Sequence, residues 1–108
     1  MTKAEILAAV LAWLHNAKAA AQQDTFWTLA RDRIAGDLFN VDTTSPTWED
    51  DTAATFPSLW LYAVLREGRI FLEDDANAQS AEAGYQVALS IANSRQRQGA
   101  SSQLSRPY

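Results

Sequence analysis

Apolar residues recur three and four apart along most of the chain, which is the spacing of one buried face on an α-helix. Ile6, Leu7, Val10, Leu11 and Leu14 form the first such stripe, with Trp13 at its edge. Thr2-Lys3-Ala4-Glu5 precedes it as a capping box, in which the threonine hydroxyl serves the third amide and the glutamate reaches back. This helix is expected to end near His15-Asn16, although the alanines at 17 and 19–21 can prolong it. A second helix, capped at Asp24 or Thr25, carries Phe26, Leu29, Ala30, Ile34 and Leu38. Gly36 weakens its end by ~1 kcal/mol relative to alanine. Phe56-Pro57-Ser58 opens a third, with proline suited to the first turn. There Leu59, Leu61, Tyr62, Leu65, Ile70, Phe71 and Leu72, with Trp60 and Val64 between them, leave almost no polar face. A helix apolar nearly all round is buried on several sides. Gly68 within it kinks the helix or lets another backbone come close.

The spacing predicts a fourth helix from about Ala76 to Gln96, whose stripe of Ala78, Ala81, Ala88 and Ala92 is broken by one ring, Tyr85. Glu73-Asp74-Asp75 at its start answers the positive end of the helix dipole, and Gly99 is read as its stop. Periodicity fails over Asn40–Thr55, where Thr43-Thr44-Ser45-Pro46 is turn chemistry and Trp48 stands before the acidic run Glu49-Asp50-Asp51. A loop of this length inside a small domain is usually functional. Its carboxylates lack the alternate spacing and the glycine turn of an oxygen-ligand cation loop. The reading is all-α: a four-helix bundle over residues 1–98, with a long connection between its second and third helices. An extended C-terminal docking tail follows over residues 99–108, polar except for Leu104 and Tyr108.

Composition narrows the chemistry. The 108 residues make one domain, and 47% hydrophobic with 20% charged residues is ordinary for a globular fold. Cysteine is absent, which removes disulfides, thiolate metal sites and thiol nucleophiles together. His15 is the single imidazole and has no acid or hydroxyl partner in its local sequence, so neither a histidine metal cluster nor a triad is expected. The four glycines are scattered at 36, 68, 84 and 99, which is no phosphate loop. There is no apolar run of ~20 residues and no signal-peptide pattern, so neither a membrane span nor secretion is expected. No catalytic, cofactor-binding or metal residue is therefore assigned, and the chain is not expected to be an enzyme.

Charge is divided along the chain. Residues 1–94 carry six basic and thirteen acidic side chains, whereas Arg95, Arg97 and Arg106 follow with no side-chain carboxylate. An acidic body argues against a surface that grips nucleic acid. A basic end suits an acidic surface, on a partner or on a neighbouring copy. Arg31 and Arg33 face different directions and make a poor phosphate clamp, so both are read as solvated or locally paired.

Leu7-Ala8-Ala9-Val10-Leu11-Ala12-Trp13-Leu14-His15, followed by Phe26-Trp27-Thr28-Leu29-Ala30-Arg31-Asp32-Arg33-Ile34, resembles the opening helices of tailed-bacteriophage head-to-tail adaptor (connector) proteins. Phe56-Pro57-Ser58-Leu59-Trp60-Leu61-Tyr62-Ala63 and Ile70-Phe71-Leu72-Glu73-Asp74-Asp75 are similar to their third helix, and Ala83-Gly84-Tyr85-Gln86-Val87-Ala88-Leu89 to their fourth. The likeness spans most of residues 6–95. Asn40–Thr55 departs from it, being shorter than the insertion many adaptors carry there.

The resemblance implies a structural virion protein, assembled in the host cytoplasm and located at the head–tail interface. It implies a twelvefold ring under the portal protein, joining it to a downstream tail or nozzle protein and enclosing a channel through which DNA passes without specific binding. On that reading Arg95, Arg97, Leu104, Arg106, Pro107 and Tyr108 dock on the portal or a neighbouring subunit. Trp60, Tyr62, Val64, Phe71 and Tyr85 lie in the core or a subunit interface, and Trp48, Glu49, Asp50 and Asp51 form a loop toward the downstream protein. The alternative is a small cytoplasmic helical regulatory or interaction protein that binds one partner through its C-terminal tail. A DNA-binding helical domain is a third reading, which the acidic body opposes.

Overall fold

A computed structural model describes residues 1–104, with side chains to residue 98, and every regular element in it is helical. In α1 (Lys3–Leu14) the capping box forms in both directions. The Thr2 amide donates to Glu5 Oε1 at 3.0 Å, and the Glu5 amide donates to Thr2 Oγ1 at 3.2 Å. The bond from the Thr2 amide, with help from the Thr2 hydroxyl, holds the Glu5 carboxyl below its ordinary range. α1 buries Ile6, Leu7, Val10 and Leu14 and ends at His15, whose φ of 48° is the left-handed turn of a helix C-terminus.

Asn16 then accepts the amides of Lys18 and Ala19 at 2.9 and 3.1 Å, which starts a one-turn helix, α2 (Ala17–Ala20). The next helix, α3 (Gln23–Asp37), begins before the expected Asp24 or Thr25 cap and uses no side-chain cap. Its entry is already turned: the Gln22 amide donates to the Ala19 carbonyl and the Phe26 amide to the Gln22 carbonyl.

The segment read as an open loop contains a helix, α4 (Trp48–Thr55). Glu49, Asp50 and Asp51 fall in its first turn, where carboxylates favour helix, and Thr52 and Ala53 are buried beneath it. α5 (Pro57–Phe71) starts on its proline as expected and turns back through Leu72–Asp74, with Glu73 at φ 57°, into α6 (Asp75–Leu104). Gly99 does not stop this helix. One glycine costs ~1 kcal/mol against alanine, which is too little to end a helix unaided, and Arg95-Gln96-Arg97-Gln98 before it are good helix formers. The expected extended tail is thus helical to Leu104, and its last four residues lie outside the described ones. Among the described residues the chain is all-helical with six helices, the four long ones being α1, α3, α5 and α6.

α5 is the axis of the fold and packs against α1, α3, α4 and α6. Its Leu59, Trp60, Ala63 and Val64 are buried together with Ile6, Val10, Phe26, Trp27, Ala30 and Ile34. Trp60 stacks on Trp27 with ring centroids 4.1 Å apart and meets Trp48 at 6.0 Å. Its Nε1 donates to Thr52 Oγ1 at 3.1 Å, which is why a threonine sits buried under α4. α6 runs antiparallel to α5 and buries Ala78, Ala81, Tyr85 and Ala92. Thirty residues of helix reach roughly 45 Å, which accounts for a longest dimension of 57 Å.

Gly68 gives α1 its close approach. A Cβ there would lie 2.5 Å from Leu14 Cδ1, and Leu14 is itself buried. At Gly36 a Cβ would meet nothing within 4 Å. Opposite outcomes follow for the same substitution. Gly36→Ala should raise stability by ~1 kcal/mol, whereas overpacking makes Gly68→Ala the less stable variant by roughly 1–3 kcal/mol. Urea melts of the two variants beside the parent check both signs.

Candidate interaction surface

The residues singled out in the sequence separate into three groups. Trp60, Val64 and Tyr85 are fully buried within the chain, so they belong to its core. Tyr62 and Phe71 remain 37% and 44% exposed and are free to meet something else. Phe71 is braced edge-on by Phe26 at 5.6 Å. Tyr62 lies over Gly84, where a Cβ would come within 2.5 Å of the ring.

The acidic segment is held to the body rather than swinging free. Trp48 packs on the core, and Glu49 Oε1 accepts the Trp27 indole N–H at 2.7 Å. Asp51 accepts the Thr47 hydroxyl at 3.0 Å, while Asp50 faces solvent. Among the described residues no group of three histidines, cysteines or carboxylates could hold a metal ion.

Arg95 and Arg97 are exposed on α6, Arg95 beside the start of α5 at Phe56–Leu59. The Arg97 guanidinium stands 5.4 Å from the Phe39 ring, and the Gln96 amide donates to the Phe39 carbonyl at 3.3 Å, so the segment after α3 supports the helix to this point. The side chain of Leu104, and Arg106, Pro107 and Tyr108 altogether, lie outside the described residues.

Two features escaped the sequence reading. One is a groove between α5 and α6 lined by Ser58, Tyr62, Gly84, Val87, Ala88 and Ile91, open and about 440 Å³ in volume. Val87 and Ile91 are 63% and 51% exposed. Their spacing of four from Ala83 was the available signal, hidden because the alanine stripe on the other flank of the helix dominates the pattern.

The second is a charged knot that fastens α3 to the α5–α6 hairpin. Arg33 grips Glu82 with both nitrogens, at 2.5 and 2.6 Å, and Arg66 Nε reaches the same carboxylate at 2.8 Å. The Arg33 guanidinium lies 3.9 Å over the Tyr85 ring, whose hydroxyl donates to Asp37 at 2.8 Å. Arg33 is thus paired across the fold and not merely locally, while Arg31 does pair with adjacent Asp32. Burial and the Asp37 hydrogen bond push the Tyr85 hydroxyl well above the ordinary tyrosine range. The Arg33 hydrogen bonds hold the Glu82 carboxyl at about 2, against the opposing pull of desolvation and with smaller help from Gln86 and Arg66.

Comparison with known proteins adds no assignment: no family model, curated protein or solved structure matches the chain. No helix among the described residues is long and apolar enough to cross a membrane.

A carboxyl whose folded pKa lies below its unfolded value stabilises the fold fully above the unfolded value and ceases to do so as pH falls toward the folded one. For Glu82 the window runs from the ordinary glutamate value of 4.5 down to about 2. Glu82→Gln should lower stability near neutral pH by roughly 1.5–3 kcal/mol, the range for hydrogen bonds to charged groups. It should also flatten the acid limb across that window. Chemical denaturation at a series of pH values reads both effects, and a variant with an unchanged acid limb would remove Glu82 from this account.

Proposed function

We propose that this chain is a head-to-tail adaptor of a tailed bacteriophage, a structural subunit that forms a ring under the portal and links it to the tail around the DNA channel. The observation that supports the reading is an exposed apolar groove between α5 and α6 together with two exposed arginines farther along α6. Tyr62 of α5 and Val87 and Ile91 of α6 stay exposed along the groove, and Arg95 and Arg97 follow toward the far end of α6. A subunit that must touch neighbours sideways and another ring end-on needs that arrangement, and a closed ring of heterologous contacts uses it repeatedly. The four long helices serve as the supporting bundle on this reading. The acidic body suits a channel through which DNA slides, because like charge discourages adhesion to phosphate. Trp48 and Glu49 tie α4 to the core while Asp50 and Asp51 stay exposed on it, which offers the downstream protein an acidic edge on a helix instead of an open loop.

Native mass spectrometry of the chain mixed with the portal ring encoded alongside it is the direct test. One adaptor chain per portal subunit is the expected result. Failure to bind the portal, with the chain remaining a monomer or dimer, would overturn the reading in favour of a small interaction protein.

A further inference from the structure

The connection from Phe39 to Thr47 adds only Val41 to the apolar core, and all of it but Val41 and Ser45 is exposed. It is held to α6 at one place, by side chains and not by packing. Asn93 accepts the Phe39 amide proton on Oδ1 at 2.7 Å and donates from Nδ2 to the Asp37 carbonyl at 3.2 Å. Nearly one turn on, Gln96 Nε2 donates to the Phe39 carbonyl at 3.3 Å, and the Arg97 guanidinium stands over the Phe39 ring at 5.4 Å. Three side chains of one helix thus meet the amide, the carbonyl and the ring of a single residue. All three hydrogen bonds are open to water. Solvent-exposed bonds with few buried apolar contacts mark the parts of a fold that open before the rest.

We infer that residues 39–47 form a latch, clipped onto α6 at Phe39, that opens while the helices stay packed and releases Phe39 and Arg97 together. Its two ends are fixed, since Leu38 is buried at the end of α3 and Trp48 packs on the core at the start of α4. Asn40, at φ 59°, turns the chain directly after the clip, in a conformation that asparagine tolerates better than most residues. Farther along the segment carries a turn of its own. The Thr44 amide donates to Asp42 Oδ1 at 3.0 Å and the Ser45 amide to the Asp42 carbonyl at 3.2 Å. Opening therefore gives up the contacts at Phe39 and leaves that turn intact. Closed, the latch occupies Arg97 with the ring of Phe39; open, it returns both to solvent. The inference goes beyond the adaptor reading and stands without it, because it concerns the single chain.

Asn93→Leu in the full chain separates the latch from the helix that carries it. Leucine is the better helix former, so α6 gains propensity while two of the three hydrogen bonds are lost. Nuclear magnetic resonance then reads three quantities. The Phe39 amide should exchange roughly thirtyfold faster, the factor that two ordinary hydrogen bonds are worth. Backbone order parameters over residues 39–44 should fall below about 0.6, the flexible range. The Arg97 side-chain protons should lose the ring-current shift of Phe39, although neither residue is altered, and Phe39→Leu identifies that shift by abolishing it with the backbone bonds kept. Amides of α5 should exchange at the parent rate throughout. An Arg97 shift or a segment order that survives Asn93→Leu overturns the proposal, because Phe39 is then held without the clip. Faster exchange across α5 in step with the segment also overturns it, because the connection then opens only with the whole fold. Should Asn93→Leu fail to fold, Gln96→Leu removes the remaining bond to the Phe39 carbonyl and is read in the same way.

Discussion

The Trp60 indole is fully buried on the central helix, and a buried indole N–H without an acceptor costs roughly 1–3 kcal/mol. Its partner is the Thr52 hydroxyl, whose own proton goes to the Trp48 carbonyl at 2.8 Å. Trp27, stacked on the same ring, sends its N–H to Glu49. Both indoles of the pair that joins α3 to α5 are therefore satisfied by one short helix. Without α4 the stacked pair would lose both of its acceptors and turn one apolar edge to water. The helix that hydropathy overlooks is the one that allows the aromatic core to close.

At the other flank the problem differs. α6 presents mostly alanines to the core, and short side chains bury little apolar surface apiece. Tyr85 and the Arg33–Glu82–Arg66 knot supply what the alanines do not. The bidentate Arg33–Glu82 pair fixes direction as well as distance, and stacking on Tyr85 holds the guanidinium in plane. α3 is thereby tied to the hairpin by polar geometry where α5 is tied by packing. Small residues also let α6 lie close to α5, since Gly84 admits the Tyr62 ring. The cost is an outer flank whose larger residues, Val87 and Ile91, stay more than half exposed among the described residues.

What could be read from the sequence followed the strength of local signals. The capping box of α1 and the proline of α5 are local chemistry, and both elements start where they say. α4 was not legible because its buried positions are a threonine and an alanine, which hydropathy does not register, and because turn residues before it draw the eye. The run past Gly99 was missed because glycine is a stop only where the chain gains by turning. Trp60, Val64, Tyr62 and Phe71 read alike as apolar, since periodicity reports a face and not what covers it. Arg33 and Glu82 lie far apart in sequence, so no local pattern could have paired them.

The distribution of cations connects these points. Arg31, Arg33, Arg66 and Arg69 are engaged inside the chain, on Asp32, Glu82 and Asp74. The body keeps most of its acids facing water, so copies brought side by side repel one another unless positive charge is placed between them. The exposed arginines Arg95 and Arg97 sit toward the far end of α6, Arg97 over the Phe39 ring. A helix acidic near its start, basic near its end and apolar along one flank has a direction built into its surface.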